Sequence, residues 1–142
     1  MKKIEIPTKR GSVLDGVLFC KTKDPDSVLI AITGIHGNFY SNPFYYNFGE
    51  TLNKGNIDFI YAQTCDAFGR MKKTNVNTGK KEYIGSFNGD FKNTDDDVEA
   101  YINFAEKCKY KNIYLAGHSL GANKIIYYLS RYHDLRVKKY IY

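Results

Sequence analysis

The spacing of apolar and polar positions changes several times along the chain, and each change marks a predicted element of secondary structure. Residues 2–8 and 13–20 are rich in β-forming residues, and the polar cluster at 9–12 between them is typical of a turn. This pattern predicts an antiparallel hairpin at the edge of a sheet. After a break at residues 24–26, with the sequence Asp-Pro-Asp, residues 28–32 form a continuous apolar run. Such runs are buried on both faces of a parallel sheet, so this one is predicted to be a central strand.

A glycine-containing loop, a helix and another strand follow the central strand. The helix is predicted from about residue 43 to residue 54, with Gly55 as its C-cap. Residues 57–62 are the next predicted strand, so the order strand, loop, helix, strand indicates a βαβ unit. The helix is expected to carry three apolar residues at four-residue spacing: Phe44, Phe48 and Leu52.

Residues 66–93 combine glycine, polar and aromatic residues without a clear period, which predicts a long loop or a loop with turns. Thr94 and the three aspartates at 95–97 form a helix start signal. Thr94 can cap the helix, and the carboxylates favour the positive end of the helix dipole. The apolar face of this helix is predicted to consist of Val98, Tyr101, Ile102 and Ala105.

Residues 112–116 are predicted to form a short strand, residues 119–132 a helix and residues 137–142 a further strand. Strands and helices thus alternate after the opening hairpin. The predicted fold class is α/β, with an N-terminal hairpin followed by a mostly parallel sheet that is covered by helices on both faces. We expect one domain over residues 1–142. The inward residues of its last helix are predicted to be Ile125, Ile126 and Leu129.

The composition is that of an ordinary globular protein, with 43% hydrophobic and 25% charged residues among 142. The formal net charge of +6 comes from short lysine and arginine pairs between apolar segments, and the acidic run at 95–97 interrupts any basic face. We therefore expect no nucleic-acid partner. The N-terminus does not read as an export signal, and no apolar run reaches about 18 residues, so we expect no membrane span.

The three cysteines, Cys20, Cys65 and Cys108, are an odd number and form no Cys-x-x-Cys unit. Each lies in or beside an apolar segment, where a free cysteine acts as a small buried hydrophobic residue. We therefore expect reduced thiols and a cytoplasmic location. We expect neither a metal site nor a cofactor.

The strongest chemical signal is the sequence Gly-His-Ser-Leu-Gly at residues 117–121. It directly follows a predicted strand and opens a predicted helix, which is the setting that a nucleophilic serine requires. Gly117 and Gly121 are expected for steric reasons, because a turn this tight leaves no room for a Cβ. Ser119 Oγ would then stand at the carboxyl end of the sheet, and the Leu120 N–H at the helix N-terminus would point toward an oxyanion.

A second glycine loop follows the central strand, with the sequence Thr-Gly-Ile-His-Gly-Asn at residues 33–38. A loop in this position can donate a second N–H to the same oxyanion, and Asn38 is the predicted donor. His36 and Gly37 are expected to support the loop. In the first motif, which has the pattern Gly-x-Ser-x-Gly, His118 occupies the variable position before the serine.

Together the two motifs resemble the α/β-hydrolase superfamily: residues 36–38 are similar to its oxyanion loop and residues 117–121 to its nucleophile elbow. The resemblance covers the first half of that fold. Residues 122–128 are also similar to esterase-like or lysophospholipase-like members. The resemblance implies a serine hydrolase that acts on a small-molecule carboxylic ester, thioester or small amide through an acyl-Ser119 intermediate. It also implies that His36 packs and orients its loop.

The acid and the base of a catalytic triad are the missing parts of this pattern, since family members carry them after the serine. The histidine that follows Ser119 is His133, and fourteen helical residues put it about 21 Å away. That is too far for the roughly 3 Å hydrogen bond of a general base. His36 and His118 do not resemble the family's base. We therefore expect the sequence to be a truncated N-terminal half that is inactive by itself.

Two other functions would use the same residues. A non-catalytic remnant or binding module would keep the first half of the fold without its chemistry. An acyltransferase would form the same acyl-Ser119 intermediate and differ only in the acceptor that attacks it. The sequence does not choose among these functions, and it indicates no oligomeric state.

Overall fold

The computed structural model describes residues 1–21 and 25–142, so Asp24 of the predicted Asp-Pro-Asp break lies outside the described residues. Within these ranges the strands are β1 (Lys2–Pro7), β2 (Val13–Phe19), β3 (Ser27–Ile32), β4 (Ile57–Ala62), β5 (Met71–Thr74), β6 (Lys81–Ile84), β7 (Asn112–Gly117) and β8 (Val137–Ile141). The helices are α1 (Phe44–Lys54), α2 (Thr94–Lys107) and α3 (Leu120–Arg131). Short 3-10 turns lie at Phe39–Ser41 and Phe91–Asn93.

The main sheet of the described part of the chain has the strand order β1-β2-β4-β3-β7-β8. Strand β2 pairs antiparallel with both β1 and β4. Strand β3 pairs in parallel with β4 and with β7, and β7 pairs in parallel with β8. The predicted edge hairpin, the central position of β3 and the mostly parallel sheet are therefore confirmed.

Helices cover both faces of this sheet, as predicted. Helix α1 packs on one face, and α2 and α3 pack side by side on the other. Successive side chains of β3 point alternately to the two faces of the sheet. Because helices cover both faces, every position is apolar, which explains the continuous apolar run. Val28, Ile30 and Ile32 belong to the core under α2 and α3, whereas Leu29 and Ala31 belong to the core under α1. No helix in the described ranges is long and apolar enough to cross a membrane.

Three strands end at the same level of the sheet, because Ile32 pairs with both Ala62 and Gly117. The loops that follow β3, β4 and β7 therefore open at one edge. In parallel sheets this carboxyl edge is where ligands bind. The register thus brings the two motifs of the sequence together.

Helix α1 has bounds and a C-cap close to those predicted, and of its three apolar residues at four-residue spacing Leu52 packs against the core. Phe44 and Phe48 are 66% and 40% exposed, whereas Gly49 and Asn53 are buried. The reason lies at Gly49, where a Cβ would be only 2.7 Å from the Phe19 ring. The backbone of α1 therefore approaches the Phe19 ring directly at Gly49, and Phe44 and Phe48 lie to the side of this contact and are exposed.

Helix α2 begins at Thr94 with Asn93 in the N-cap position and no side-chain capping bond, so the predicted cap is wrong. Two of the three aspartates that follow, Asp96 and Asp97, bind Arg10 in the turn between β1 and β2. Asp96 accepts hydrogen bonds from the Arg10 N–H and guanidinium, and Asp97 accepts one from the same guanidinium. The carboxylates therefore attach the edge hairpin to α2. The predicted apolar face of α2 is confirmed, because its four residues are fully buried.

One predicted inward position of α3 is also wrong. Ile125 is fully buried as predicted, but Ile126 is 46% exposed. Lys124, which is 2% exposed, and Tyr128 share the buried face with Ile125. A helical pattern of apolar residues does not reveal a buried lysine, because the groups that neutralise it lie on other segments.

Residues 66–93 contain a hairpin that the sequence did not reveal, formed by β5 and β6 as a separate two-stranded sheet. It is attached to the first hairpin. The Lys73 ammonium donates to Asp15 of β2 at 2.7 Å, and the Val76 N–H donates to the Gly11 carbonyl at 2.9 Å. Most residues of β5 and β6 are polar, so their alternation gives little hydrophobic signal.

The cysteines are less buried than predicted. Cys20 and Cys65 are partly buried against the main core, but Cys108 is exposed where α2 ends at the surface. Burial, assisted by the nearby Asp97 carboxylate, raises the pKa of the Cys65 thiol to about 12. This thiol is therefore protonated near neutral pH.

Replacing Gly49 with alanine should lower the free energy of unfolding by about 1–2 kcal/mol. Overpacking against Phe19 costs about 1–3 kcal/mol, and the better helix propensity of alanine offsets part of that cost. Gly69→Ala is the matched control, since a Cβ there meets no atom within 4 Å. Urea denaturation of both variants measures the difference. Equal losses in the two variants would contradict the close approach of α1 to the sheet.

The Lys73–Asp15 pair predicts a pH-dependent stability. Burial by itself would raise the pKa of Asp15, but hydrogen bonds from Lys73 and Lys3 outweigh it and hold the pKa below its usual value. A lowered folded-state pKa stabilises the fold above the unfolded value of about 4, and this stabilisation disappears as the pH falls through the folded-state pKa. Lys73→Met should therefore cost about 1 kcal/mol at pH 7 and progressively less below pH about 4.

Urea denaturation as a function of pH measures this dependence. Lys80→Met, in the turn of the same hairpin, is the control and should show no such trend. A loss in Lys73→Met that stays constant down to pH about 2 would show that the pair contributes packing only.

Candidate active site

The backbone of Ser119 lies in a strained region, with φ 56° and ψ −130°, between the end of β7 and the start of α3. A non-glycine residue in such a conformation costs of the order of 1–3 kcal/mol and persists only when its surroundings impose it. Both flanking glycines show what imposes it. A Cβ at Gly117 would lie 2.7 Å from the Ala122 nitrogen, and a Cβ at Gly121 would overlap the Ile32 carbonyl oxygen. The turn therefore has the tight strand-to-helix geometry that the sequence predicts.

The loop after β3 lies directly against this turn. A Cβ on Gly34 would be 3.3 Å from the Ser119 Cβ and 3.5 Å from the Leu120 nitrogen. The Gly37 N–H donates back to the Gly34 carbonyl at 3.1 Å, so the loop closes on itself beside the serine. The Leu120 N–H, at the first position of α3, makes no hydrogen bond to a described residue and remains available.

His36 is held by the segment that follows β4. Its φ is 56°, its N–H donates to the Asp66 carbonyl at 3.0 Å, and its ring lies 3.3 Å from Ser86 Oγ. These contacts attach the loop after β3 to residues 66–93. The ring therefore contacts Ser86 and has no hydrogen bond to Ser119.

Four of the eight predicted site residues, His36, Gly37, His118 and Ser119, line one cavity of about 320 Å³. The loop after β3 and the turn after β7 contribute part of its wall, and α1, β4 and the segment before α1 contribute the rest. Its lining consists of Thr33, Gly34, Ile35, His36, Gly37, Asn42, Tyr45, Tyr61, His118 and Ser119. Leu120 borders a smaller neighbouring hollow of about 100 Å³.

Asn38 does not line the cavity. Its side chain donates to the His36 carbonyl at 3.1 Å and accepts from the Ser41 N–H at 3.1 Å, so it caps the following 3-10 turn. Ile35, which follows the glycine that contacts Ser119, does line it. The Ile35 N–H makes no hydrogen bond to a described residue.

The structure keeps His133 away from Ser119. His133 is exposed beyond the end of α3 and borders a different hollow, between α3 and β8. The adjacent Asp134 accepts hydrogen bonds from Arg136 and from the Tyr128 hydroxyl. These two residues therefore take no part in the cavity. Among the described residues, no three histidine, cysteine or acidic side chains come together as a metal site.

A buried ion pair beneath the loop is the feature that the sequence did not reveal. The Lys124 ammonium donates to the Asp66 carboxylate at 2.7 Å, to Thr64 Oγ1 at 2.8 Å and to the Thr33 carbonyl at 3.1 Å. Thr64 Oγ1 in turn donates to the same carboxylate at 2.6 Å. Three donors on one ammonium thus attach α3 to the ends of β3 and β4, and all three bonds of the ammonium are used.

This network fixes the loop after β3 from two sides. Lys124 holds the Thr33 carbonyl at the start of the loop, and the Asp66 carbonyl accepts the N–H of His36 near its end. The residues between them, Gly34 and Ile35, are those that lie against Ser119 or line its cavity. Their positions therefore depend on a charge pair outside the cavity.

Comparisons with protein-family models and with curated proteins give no match. Solved structures do match. Esterase Est1E from Butyrivibrio proteoclasticus superposes with a TM-score of 0.71 at 18% identity, over 99% of this chain and 49% of that chain. Esterase Pf2001 from Pyrococcus furiosus gives 0.65 at 19% identity, over 96% and 48%. A predicted CIB-like hydrolase from Thermoplasma acidophilum gives 0.63 at 13% identity, over 99% and 63%.

The chain therefore has the α/β-hydrolase fold, and the structures that it resembles are esterases and hydrolases. It spans about half the length of the two esterases. The strand order, the turn at Ser119 and the superpositions agree on the architecture. At these identities the likeness shows the fold alone.

Lys124→Met should lower the free energy of unfolding by about 3 kcal/mol, because it leaves a largely buried carboxylate without its cation and a carbonyl without its donor. Adding Asp66→Asn should recover part of this loss. Lys107→Met, at the exposed end of α2, is the control and should change stability by less than about 0.5 kcal/mol. Urea denaturation gives the three values.

Hydrogen exchange provides a second measurement on the same variant. The His36 amide should exchange faster in Lys124→Met than in the Lys107→Met control, after correction for global stability, because its acceptor belongs to Asp66. Unchanged exchange at His36 would show that the ion pair does not fix the loop.

Proposed function

We propose that this chain provides the nucleophile and the oxyanion site of a serine hydrolase that acts on small carboxylic esters, thioesters or small amides. The observation that supports this most is the strained backbone of Ser119 at the mouth of a cavity. Strain of this kind has to be offset by the surrounding fold, and it is concentrated at functional sites. An ordinary N-capping serine would have an extended backbone and would bond its helix, whereas Ser119 makes no such bond.

In the proposed reaction Ser119 Oγ attacks the substrate carbonyl carbon and loses its proton to a base. The C–O bond forms as the carbonyl π electrons move to oxygen, and the oxyanion is then stabilised by N–H donors. Collapse of this intermediate expels the alcohol, thiol or amine, which takes up the proton. Water then releases the acyl group from Ser119.

Leu120 and Ile35 are the proposed oxyanion donors. The Leu120 N–H lies at the positive end of the α3 dipole, which favours an anion there. Ile35 replaces Asn38 as the second donor, because the glycine before Ile35 contacts both Ser119 and the Leu120 nitrogen. Asn38 lies outside the cavity that these residues line.

The base and the acid that orients it are proposed to come from outside the 142 residues. This agrees with the sequence-based expectation that these residues form an incomplete domain. His36 is in contact with Ser86, and His133 borders a separate hollow. The chain covers about half of the esterases that it resembles, which supports this proposal. Without a base the serine hydroxyl is a weak nucleophile, although oxyanion donors retain some catalysis.

A binding module without catalysis is the second candidate. It is favoured by one observation, namely that Ser119 Oγ has no hydrogen bond to any described residue.

We also propose a cytoplasmic location with reduced thiols, on the basis of the cysteine pattern, and no nucleic-acid partner, on the basis of the scattered basic residues.

Fluorophosphonate labelling followed by peptide mass spectrometry tests the nucleophile. We expect a single adduct on Ser119, formed about 10²–10⁴-fold more slowly than on the esterase Est1E, because general base catalysis is missing. Ser119→Ala should abolish the adduct. Ser130→Ala, an exposed serine on the same helix, should leave it unchanged.

Two results would contradict parts of the proposal separately. An adduct on another residue, or none after prolonged exposure, would exclude Ser119 as a nucleophile and favour the binding module. Labelling as fast as that of Est1E would show that the 142 residues already contain an effective base.

A further inference from the structure

The β5–β6 hairpin concentrates positive charge that the proposed reaction does not use. Its two strands bring together two basic pairs that are apart in the sequence, Lys72-Lys73 and Lys80-Lys81. Residues 70–83 contain five lysine or arginine residues and one glutamate, so four of the six net positive charges of the chain lie in this segment. The hairpin is therefore strongly basic.

The glutamate of the hairpin lies on its inner face, where charges of both signs are paired. Side chains point alternately to the two faces of a strand, and Glu82 lies opposite Lys73 in the register of β5 and β6. Lys73 donates to the Asp15 carboxylate at 2.7 Å, and Glu82 accepts from the Asn75 amide at 3.1 Å. These contacts turn the carboxylates toward β2 and away from solvent.

The outer face of the hairpin carries cations without such partners. Lys72 lies opposite Tyr83, and Lys81 lies opposite Thr74 and donates to its hydroxyl at 2.6 Å. Arg70, directly before β5, is exposed, as are both lysines. These three cations make no salt bridge to a carboxylate of the described residues. The outer face therefore has positive charge that the protein itself does not neutralise.

Two exposed aromatic rings lie among these cations. Tyr83 is 44% exposed and Phe87 is 54% exposed. The guanidinium carbon of Arg70 lies 4.1 Å from the centre of the Tyr83 ring and 5.3 Å from that of the Phe87 ring. Arg70, Lys72, Lys81, Tyr83 and Phe87 are called the basic face below. It combines cations with apolar and amphipathic rings, the composition of surfaces that bind at a membrane interface.

The hairpin is held at both of its ends, so the basic face has a fixed position. At its turn the Asn77 amide donates to the Lys9 carbonyl at 2.9 Å. At its base the Ser86 N–H donates to the Phe68 carbonyl at 2.9 Å, and Ser86 Oγ lies 3.3 Å from the ring of His36, which lines the cavity beside Ser119. A surface that docks on the hairpin is thus close to that cavity.

We propose that the basic face is a docking surface for anionic phospholipid membranes. Lipid phosphates and carboxylates accept hydrogen bonds from Arg70, Lys72 and Lys81, while the rings of Tyr83 and Phe87 lie among the headgroups. Each lysine or arginine near an anionic membrane surface strengthens binding by about fivefold, so three act together strongly. The docking does not depend on the hydrolase function proposed for Ser119.

The position of Arg70 favours a membrane over a single-stranded nucleic acid. Nucleic-acid bases bind exposed aromatic residues by stacking on a free ring face. The Arg70 guanidinium already covers one face of Tyr83 and also lies over Phe87. What remains exposed beside the cations suits lipid headgroups, which need charge and apolar contact without ordered stacking.

Vesicle co-sedimentation tests the charge of the basic face. We expect the chain to bind phosphatidylcholine vesicles that contain about 30% phosphatidylserine, and not vesicles of phosphatidylcholine alone. Lys72→Gln combined with Lys81→Gln should weaken this binding by about 25-fold. Lys138→Gln combined with Lys139→Gln removes the same charge from two exposed lysines of β8, at the other edge of the main sheet, and should weaken it by less than about threefold.

Equal weakening by the two double substitutions would overturn the proposal, because binding would then follow net charge alone. Absence of binding to the phosphatidylserine vesicles would also overturn it. A single-stranded RNA oligonucleotide is the third probe. RNA that binds more tightly than the vesicles, and loses that binding in Lys72→Gln with Lys81→Gln, would assign the face to nucleic acid instead.

Fluorescence tests the aromatic part of the basic face, because the chain contains no tryptophan. In Phe87→Trp the emission should shift to shorter wavelength when phosphatidylserine vesicles are added, since the new ring enters the headgroup region. Leu135→Trp, in the loop between α3 and β8, is the control for an equally exposed ring and should show no shift. A shift in Leu135→Trp without one in Phe87→Trp would show that another surface contacts the membrane.

Discussion

The close contact between the first turn of α3 and the end of β3 is the constraint on which the site depends. A side chain at residue 121 would overlap the Ile32 carbonyl, and a side chain at residue 117 would meet the backbone of the same turn. The helix backbone therefore packs directly against the central strand. With helix and strand this close, the residue just before the first residue of α3 has to adopt a conformation that only the surrounding packing can maintain. That residue is Ser119.

The buried Lys124 network complements this contact from the opposite side of the loop. Backbone contact fixes α3 against β3, and the ammonium then connects α3 to the Thr33 carbonyl and the Asp66 carboxylate. Because a buried charge without partners is costly, only a loop arrangement that offers these partners is compatible with the fold. The same helix thus contributes the strained turn at its start and a fixed anchor one turn later. Both act on the loop that carries Gly34 and Ile35.

Local sequence patterns predicted the main strands and helices of this molecule well and its long-range polar contacts poorly. The apolar run of β3, the glycines of the Ser119 turn and the buried face of α2 were all predictable, because each depends on the spacing of neighbouring residues. Lys124 was not, since its partners come from two other loops. The spacing of apolar residues did not show that Phe44 is exposed, because Gly49 is the residue at which α1 approaches the sheet most closely.

The loop after β3 illustrates the same limit within the candidate site. The sequence motif led to the prediction that Asn38, at the end of the loop, donates the second N–H, whereas the loop contacts Ser119 at Gly34. Sequence order alone does not show where a loop first touches a neighbouring turn. That depends on the register of β3 and β7, which sets Ile32 opposite Gly117 and so places the residues after each strand side by side. The registers of the β hairpin in residues 66–93 were hidden for a related reason, since polar strands lack an apolar alternation.

Pairing between β3 and β7 brings together all the groups proposed to bind the electrophile. Ser119, Leu120 and Ile35 follow these two adjacent strands, and Tyr61 in the lining of the cavity belongs to β4, the next strand in the sheet. The proposed attack and oxyanion stabilisation therefore involve three neighbouring strands and the helix that follows one of them. Proton transfer needs only a base that reaches Ser119 Oγ from the open side of the cavity. The residues proposed for the attack and for the oxyanion are thus physically separable from the group that would activate the serine.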